Sequence, residues 1–423
     1  MLDRKVAPPV QPLASVTLPA ADVFMLPNGA RLHVMRNSAQ PVVRLQVVFR
    51  AGKWYEPSSG LSLLTARMLL EGTRSRTARQ IADEVAFYGA SIECEQGFDR
   101  ATLTLYCLTR HLSNLLPLIQ DVLTEATFPI TELESLKTRT IQNIKIERQK
   151  NSYLAAELFS RNLYGSSHPY GNVFDESVFA STTQETVQAY YEAAYQFSQA
   201  EIFLCGDVSQ TDENTVADSL GRVNKPTAPI SVAKYTPQSA SPQDYKKVAD
   251  SLQASLRIGR LWPALTHPDI HKLQVLVKVL GGYFGSRLMR NIREDKGFTY
   301  GIYASVGPRE YACSFAIGTD VNAESAKAAI HEIHHELRLL QTTPISIEEL
   351  QTVKNYMTGK FANELSTVFE QCDKYKAIIF FDLPSNYYTH FIEEVNSVDS
   401  KQLLALAQQY LSPEDMIEVV AGP

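Results

Sequence analysis

The segment HEIHH, His331 to His335, fits the pattern H-E-x-x-H. On a helix this spacing places two imidazoles on one face, where they can bind zinc beside a glutamate that can activate water. One hypothesis is therefore a zincin-type peptidase that uses His331, Glu332 and His335. The apolar stripe of the same segment puts these three side chains on the solvent side, so a polar helix face is the favoured interpretation. That stripe consists of Ile330, Ile333, Leu337 and Leu340.

A second set of chemically capable residues lies in IREDKGFTYGIYAS. The pattern predicts a helix to about Lys296, a left-handed stop at Gly297 and then a strand. Arg293 would lie in the last turn of the helix and Tyr300 in the first residues of the strand, close enough to converge on one point. A guanidinium and a phenol both donate hydrogen bonds suited to a carbonyl oxygen or an oxyanion. The alternative is that Arg293 caps the helix and Tyr300 belongs to the core.

The elements that must position these residues occur twice along the chain. FPITELESLKTRTIQNIK resembles TPISIEELQTVKNYMTGK, and Leu133 matches Leu350 at an offset of 217 residues (350 − 133). Before each copy comes a strand-like alternation and then a long helix. A fixed offset with the same order of elements predicts the duplication of one α+β unit. We expect domains at 1–225 and 247–423, joined by a Pro-, Ser- and Ala-rich linker at 226–246.

Each half is predicted to be an antiparallel-rich sheet with helices packed on one face. In the first half ARLHVMRN and VVRLQVVFRAG alternate like paired strands, and ASIECEQ and DRATLTLYCL form a hairpin. TARQIADEVAFYGA is a helix that Thr77 caps and Gly89 ends. Between them GLSLLTARMLLEGT predicts a helix that is apolar on almost every side, with Arg67 in its middle. Such a helix is normally buried, and a buried guanidinium needs a partner.

Composition excludes several classes of protein. The chain has 423 residues, 44% hydrophobic and 20% charged, with a net charge of −6, which argues against binding to nucleic acid. Its five cysteines are scattered, as expected of reduced thiols in a cytoplasm. No apolar run approaches a membrane span, and prolines interrupt the N-terminal segment where a signal peptide needs an unbroken apolar core. We expect a cytoplasmic protein with no membrane contact.

Several segments together resemble the pitrilysin/insulinase family of zinc peptidases, which includes the mitochondrial processing peptidases. LPNGARLHV resembles the opening strand of that family, AGKWYEPSSGLSLLTARMLLEGT its first helix, and SHPYGN a recurrent loop. EIFLCGDV is similar to a strand near the end of the first domain. IREDKGFTYGIYAS is similar to the signature of the second domain, whose Arg and Tyr are seven residues apart, as Arg293 and Tyr300 are here. The resemblance implies two related α+β domains.

The family's zinc motif is H-x-x-E-H on the first helix. Laid on GLSLLTARMLLEGT, the motif places its histidines at Leu63 and Arg67 and its general base at Ala66. The third ligand, a glutamate on a later helix, falls at Asn143, or at Gln142 with a one-residue slip. None of these side chains can hold zinc or accept a proton from water. We therefore expect no metal in this chain and no peptidase activity from the chain alone.

The resemblance implies a role for the retained pair. Some members of the family divide the zinc site and the Arg/Tyr pair between two subunits. The leading hypothesis is a zinc-less subunit of a heterodimeric metallopeptidase, in which Arg293 and Tyr300 bind the scissile carbonyl of a peptide at the zinc of a partner with an intact H-x-x-E-H. The alternatives are a non-enzymatic structural or peptide-binding subunit, a homodimer that only binds peptides, and the zincin. We also expect Arg67 to point into the cleft between the halves and to pair with a carboxylate or a carbonyl.

Overall fold

The computed structural model describes residues 13, 15–223, 233–239 and 241–423. Its strands are β1 Asp22–Met25, β2 Arg31–Arg36, β3 Val42–Phe49, β4 Ser91–Gln96, β5 Ala101–Leu108, β6 Glu201–Gly206, β7 Gln243–Lys247, β8 Gln253–Leu261, β9 Ile302–Pro308, β10 Cys313–Asn322 and β11 Ile417–Gly422. Its α-helices are α1 Leu61–Met68, α2 Ala78–Phe87, α3 Leu112–Thr124, α4 Ile130–Glu147, α5 Asn151–Tyr164, α6 Glu176–Ala180, α7 Gln184–Ala194, α8 Gln210–Gly221, α9 Ile270–Gly281, α10 Ala326–Thr342, α11 Ile347–Asn363, α12 Val368–Phe380, α13 Tyr387–Ser397 and α14 Ser400–Tyr410. A π-helix spans Met289–Asp295.

The two sheets repeat one topology. The first has the order β1-β2-β6-β3-β5-β4 and the second the order β7-β11-β8-β10-β9, so the second matches the first once β1 is set aside. The β2–β6 pair is parallel, and so is its counterpart β7–β11. The hairpins β4–β5 and β9–β10 are both antiparallel. This shared order confirms the predicted duplication of an antiparallel-rich α+β domain.

The predicted pairing of β2 with β3 is wrong, because β6 lies between them. Leu204 of β6 is the partner of Val34 on one side and of Leu45 on the other. All six residues of β6 are buried. A strand this apolar is stable only in the interior of a sheet, with a neighbour along each edge.

The described residues form two compact units, one with Pro19–Arg257 and Ile417–Pro423, and the other with Ile258–Met416 and the described residues up to Leu18. The core of the first contains Leu45 and Leu118, and that of the second contains Phe315 and Leu337. The predicted domain boundaries stay a prediction. Residues 226–232 and 240 of the predicted linker at 226–246 lie outside the described residues, and the last residues of the linker form the start of β7.

The start of α1 is fixed by its glycine and by a carboxylate. Gly60 has φ +81°, and a Cβ on it would meet the ring of Phe179 at 2.5 Å, so only glycine fits there. The carboxylate of Glu56 accepts hydrogen bonds from the backbone N–H of Gly60 at 3.2 Å and of Ser62 at 3.1 Å. These bonds satisfy donors that the first turn of a helix leaves unpaired.

Two local predictions for the first half are confirmed. Thr77 and Gln80 form a reciprocal capping box at the start of α2. Gly89, just after that helix, has φ +60°, the left-handed conformation that ends it.

Within the described ranges, no helix is both long enough and apolar enough to cross a lipid bilayer.

Candidate functional site

Tyr300 is fully presented to solvent. It lies in a bend between Gly297, whose φ is +67°, and the start of β9 at Ile302. Its side chain is 98% exposed, whereas Ile302, two residues further, is 0% exposed. The alternative that Tyr300 belongs to the core is therefore wrong. The predicted strand also begins later than expected, since Tyr300 precedes it.

Arg293 lies in the π-helix and stacks on an aromatic ring that sequence reasoning missed. Its guanidinium carbon is 4.4 Å from the centroid of the Phe284 ring, which is itself 61% exposed. A cation over a ring face is held in a defined orientation. The only sequence signal for Phe284 was an aromatic residue between glycines in GGYFGS.

Within the described part of the chain, neither Arg293 nor Tyr300 makes a hydrogen bond or an ion pair. Their donors are thus free to bind a ligand, and no helix-capping bond of Arg293 is present among those residues. A guanidinium and a phenol hydroxyl together offer several N–H and O–H groups to one oxygen atom. That the two groups converge on a single point stays a prediction.

Two of the three positions on α1 at which the resemblance places the metal motif, Leu63 and Arg67, lie on the less buried side of the helix. Leu63 is half-buried and Arg67, one turn later, is exposed, while Leu64 and Met68 on the other side are fully buried. Ala66 is also fully buried. The expectation that Arg67 is buried and paired is wrong: it is exposed and has no ion pair or hydrogen bond with any described residue. The side of α1 on which Arg67 lies does not face the core.

Helix α4 carries the fourth degenerate position beside α1. Asn143 and Gln142 are both exposed. Arg139 of α4 lies 3.9 Å from the carboxylate of Glu71, which follows α1. Burial raises the pKa of Glu71, and the nearby charge of Glu132 raises it further, against the effect of Arg139. Across the described residues, no group of three or more His, Cys, Asp or Glu side chains is placed to hold a metal ion.

Two of the three histidines of HEIHH, His331 and His335, lie on the outer face of α10, and His334 between them is half-buried. His331 and His335 are exposed, whereas Ile333 and Leu337 are fully buried. Glu332 accepts a hydrogen bond from the amide of Asn291 at 3.0 Å. That hydrogen bond and the charge of Lys296 lower the pKa of Glu332, which makes its carboxylate a weaker base. The arrangement is that of a polar helix face.

Comparison with known proteins assigns the chain to a family. Residues 32–168 match the family model described as "Insulinase (Peptidase family M16)", and residues 181–357 match the one described as "Peptidase M16 inactive domain". The chain belongs to the M16 peptidase family. This confirms the resemblance that the sequence motifs indicated.

Relatives of this M16 chain carry contrasting names. It is 23% identical to "Uncharacterized zinc protease YmxG" of Bacillus subtilis, over 93% of this chain and 96% of the relative. It is 21% identical to "Non-peptidase homolog YmxG" of Helicobacter pylori, over 89% and 88% of the two chains. A solved structure of a peptidase M16 inactive domain from Pseudomonas fluorescens matches with a TM-score of 0.87 and 24% identity, over 95% of this chain and 98% of that one. This last likeness supports the fold alone.

Proposed function

We propose that this M16 chain is the zinc-less subunit of a heterodimeric metallopeptidase. Its Arg293 and Tyr300 bind the scissile carbonyl of a peptide at a zinc ion that the partner subunit holds. The observation that carries the proposal is the 98% exposure of Tyr300, since a bulky aromatic side chain gains nothing for folding in that position.

The residue types at the four expected metal-site positions also support a zinc ion held by the partner subunit. Leu63, Arg67 and Asn143 cannot serve as the zinc ligands of an M16 site, and Ala66 cannot serve as its base. A chain with donors for an oxyanion but no activated water needs the water from elsewhere. Zinc is therefore assigned to the partner, which carries an intact H-x-x-E-H, and the substrate class is peptides.

The proposal is tested in a complex of this chain with a co-expressed zinc-bearing M16 subunit. We expect Arg293→Ala and Tyr300→Phe each to lower kcat for peptide hydrolysis by about 100-fold to 1,000-fold, the effect of removing one oxyanion donor. Arg290→Ala and Tyr311→Phe are matched controls on exposed residues of the same types outside the proposed pair, and we expect them to leave kcat unchanged.

The same variants separate the proposal from its main rival, a non-enzymatic subunit, which the name of the Helicobacter relative favours. Both hypotheses predict that the complex still assembles when Arg293 or Tyr300 is replaced, because neither side chain makes a hydrogen bond or an ion pair with a described residue. Only the proposed function predicts a loss of turnover. Full activity of both variants in an assembled complex would therefore exclude it.

A further inference from the structure

A groove of about 570 Å³ lies within the unit Ile258–Met416. Its walls come from α9, α11, α12, α13 and the edge strand β9, and neither Arg293 nor Tyr300 lines it. The volume is in the range of sites that bind small molecules. The groove is thus separate from the residues assigned to peptide hydrolysis.

The floor of the groove is aromatic. Phe361 of α11 stacks on Tyr388 with ring centroids 5.3 Å apart, and it packs against Phe391 at 5.2 Å. Val277 of α9 and Met357 of α11 also line the groove and add aliphatic surface to it. These side chains form a surface suited to an apolar body.

The charged groups of the groove are unbalanced. Its lining contains three lysines, Lys278, Lys360 and Lys374, and one carboxylate, Glu364. The carboxylate lies 2.6 Å from the ammonium of Lys374 and 3.6 Å from that of Lys360. The lining therefore carries three positive charges and one negative charge, although the net charge of the whole chain is −6. The positive groove is a local feature that favours an anion.

Lys278 is the lysine that lacks a counter-ion. Its ammonium donates a hydrogen bond to the carbonyl of Gly282 at 3.1 Å, and no described carboxylate lies within ion-pair distance of it. Burial lowers the pKa of Lys278, and the charge of Lys360 lowers it further, against the effect of Glu364. A bound anion at this point would offset both costs.

We propose that this groove binds a small carboxylic acid with an apolar body, its carboxylate at Lys278 and Lys360 and its body against Phe361. The rings of Tyr388 and Phe391 extend the apolar contact. Glu364 binds Lys374 at 2.6 Å and lies 3.6 Å from Lys360, so Lys278 is the principal ammonium group for the ligand carboxylate and Lys360 is the second.

The test uses the full chain and decanoate, below its micellar concentration, as the probe in isothermal titration calorimetry. We expect one saturable site. Lys278→Met keeps the length of the side chain and removes the charge, and it should weaken binding about tenfold or more, as expected for a lost charge-assisted hydrogen bond. Ala377→Trp, which fills the groove without changing its charge, should abolish binding.

Two controls make the result decisive. Lys327→Met removes an exposed lysine of α10 outside the groove, and decanoate should bind this variant as it binds the unchanged chain. If Lys278→Met does not fold, Lys360→Met provides the same comparison. The proposal is overturned if 1-decanol or inorganic phosphate binds as tightly as decanoate, or if a folded Lys278→Met or Lys360→Met variant keeps full affinity.

Discussion

Single residues in this chain show how burial sets chemistry. Arg67 and Lys278 are each a cation on a largely apolar helix, yet Arg67 is exposed while Lys278 is half-buried beside a groove. Because water does not fully solvate Lys278, burial lowers its pKa. The sequence pattern around the two residues is alike, so the difference is decided by the side of the helix on which each lies.

His271 in α9 is predicted to make stability depend on pH. It is 2% exposed and packs at 4.5 Å from the Tyr387 ring and 5.5 Å from the His390 ring. Burial lowers the pKa of His271 to about 4; His390 acts in the same direction, and Gln274 and Glu394 oppose it. The unfolded chain binds the proton near pH 6.5 and the folded chain only near pH 4. The contribution is therefore complete above pH 6.5 and is lost progressively as the pH falls to 4.

The measurement is Tm as a function of pH between 6.5 and 4. We expect His271→Phe to flatten that dependence, because it removes the buried titrating group while keeping an aromatic ring of similar size. His335→Gln, at an exposed histidine of α10, is the control and should follow the unchanged chain. An identical slope for His271→Phe and the unchanged chain would contradict the assignment.

At the scale of elements, α1 and α4 carry the four positions at which the resemblance to the family places a metal site. Leu63 and Arg67 lie one turn apart on the accessible side of α1, and Arg139 on the neighbouring α4 pairs with Glu71. The core side of α1 is fully buried, so packing alone stabilises this helix without a bound metal.

Zinc binding should return when the ligands are restored. We expect the triple variant Leu63→His, Arg67→His and Asn143→Glu to retain about one zinc per chain after dialysis, since three protein ligands and one water form a tetrahedral zinc site. Metal content by mass spectrometry is the measurement. Arg79→His with Asp83→His, an exposed pair one turn apart on α2, is the matched control and should retain none. A triple variant without zinc would show that α4 is too far from α1.

At the scale of the whole molecule, zinc should leave the chain unaffected. A bound metal raises the stability of the folded state by an amount that grows with its concentration, about 2.7 kcal/mol at one hundred times the Kd. We expect no change in Tm when zinc or a chelator is added to the single chain, and no peptidase activity. Stoichiometric zinc that disappears in His335→Ala would instead support the HEIHH site.

Much of the architecture was predictable because its signals are local. The capping box at Thr77 and the hairpin β4–β5 each follow from residues that lie close together in the sequence, and the duplication follows from one such local pattern that recurs 217 residues later. The degenerate metal positions on α1 stay a prediction, which rests only on residue types and spacing along one helix.

The sequence by itself determined the family, the repeated α+β unit and the absence of zinc ligands at Leu63, Arg67 and Asn143. Only the tertiary structure decided that β6 separates β2 from β3, that Tyr300 and Arg67 are exposed, and that three lysines of α9, α11 and α12 share one groove. Periodicity reports which residues are apolar. Strand order and side-chain exposure depend on packing between segments far apart in the chain, and no local pattern encodes that packing.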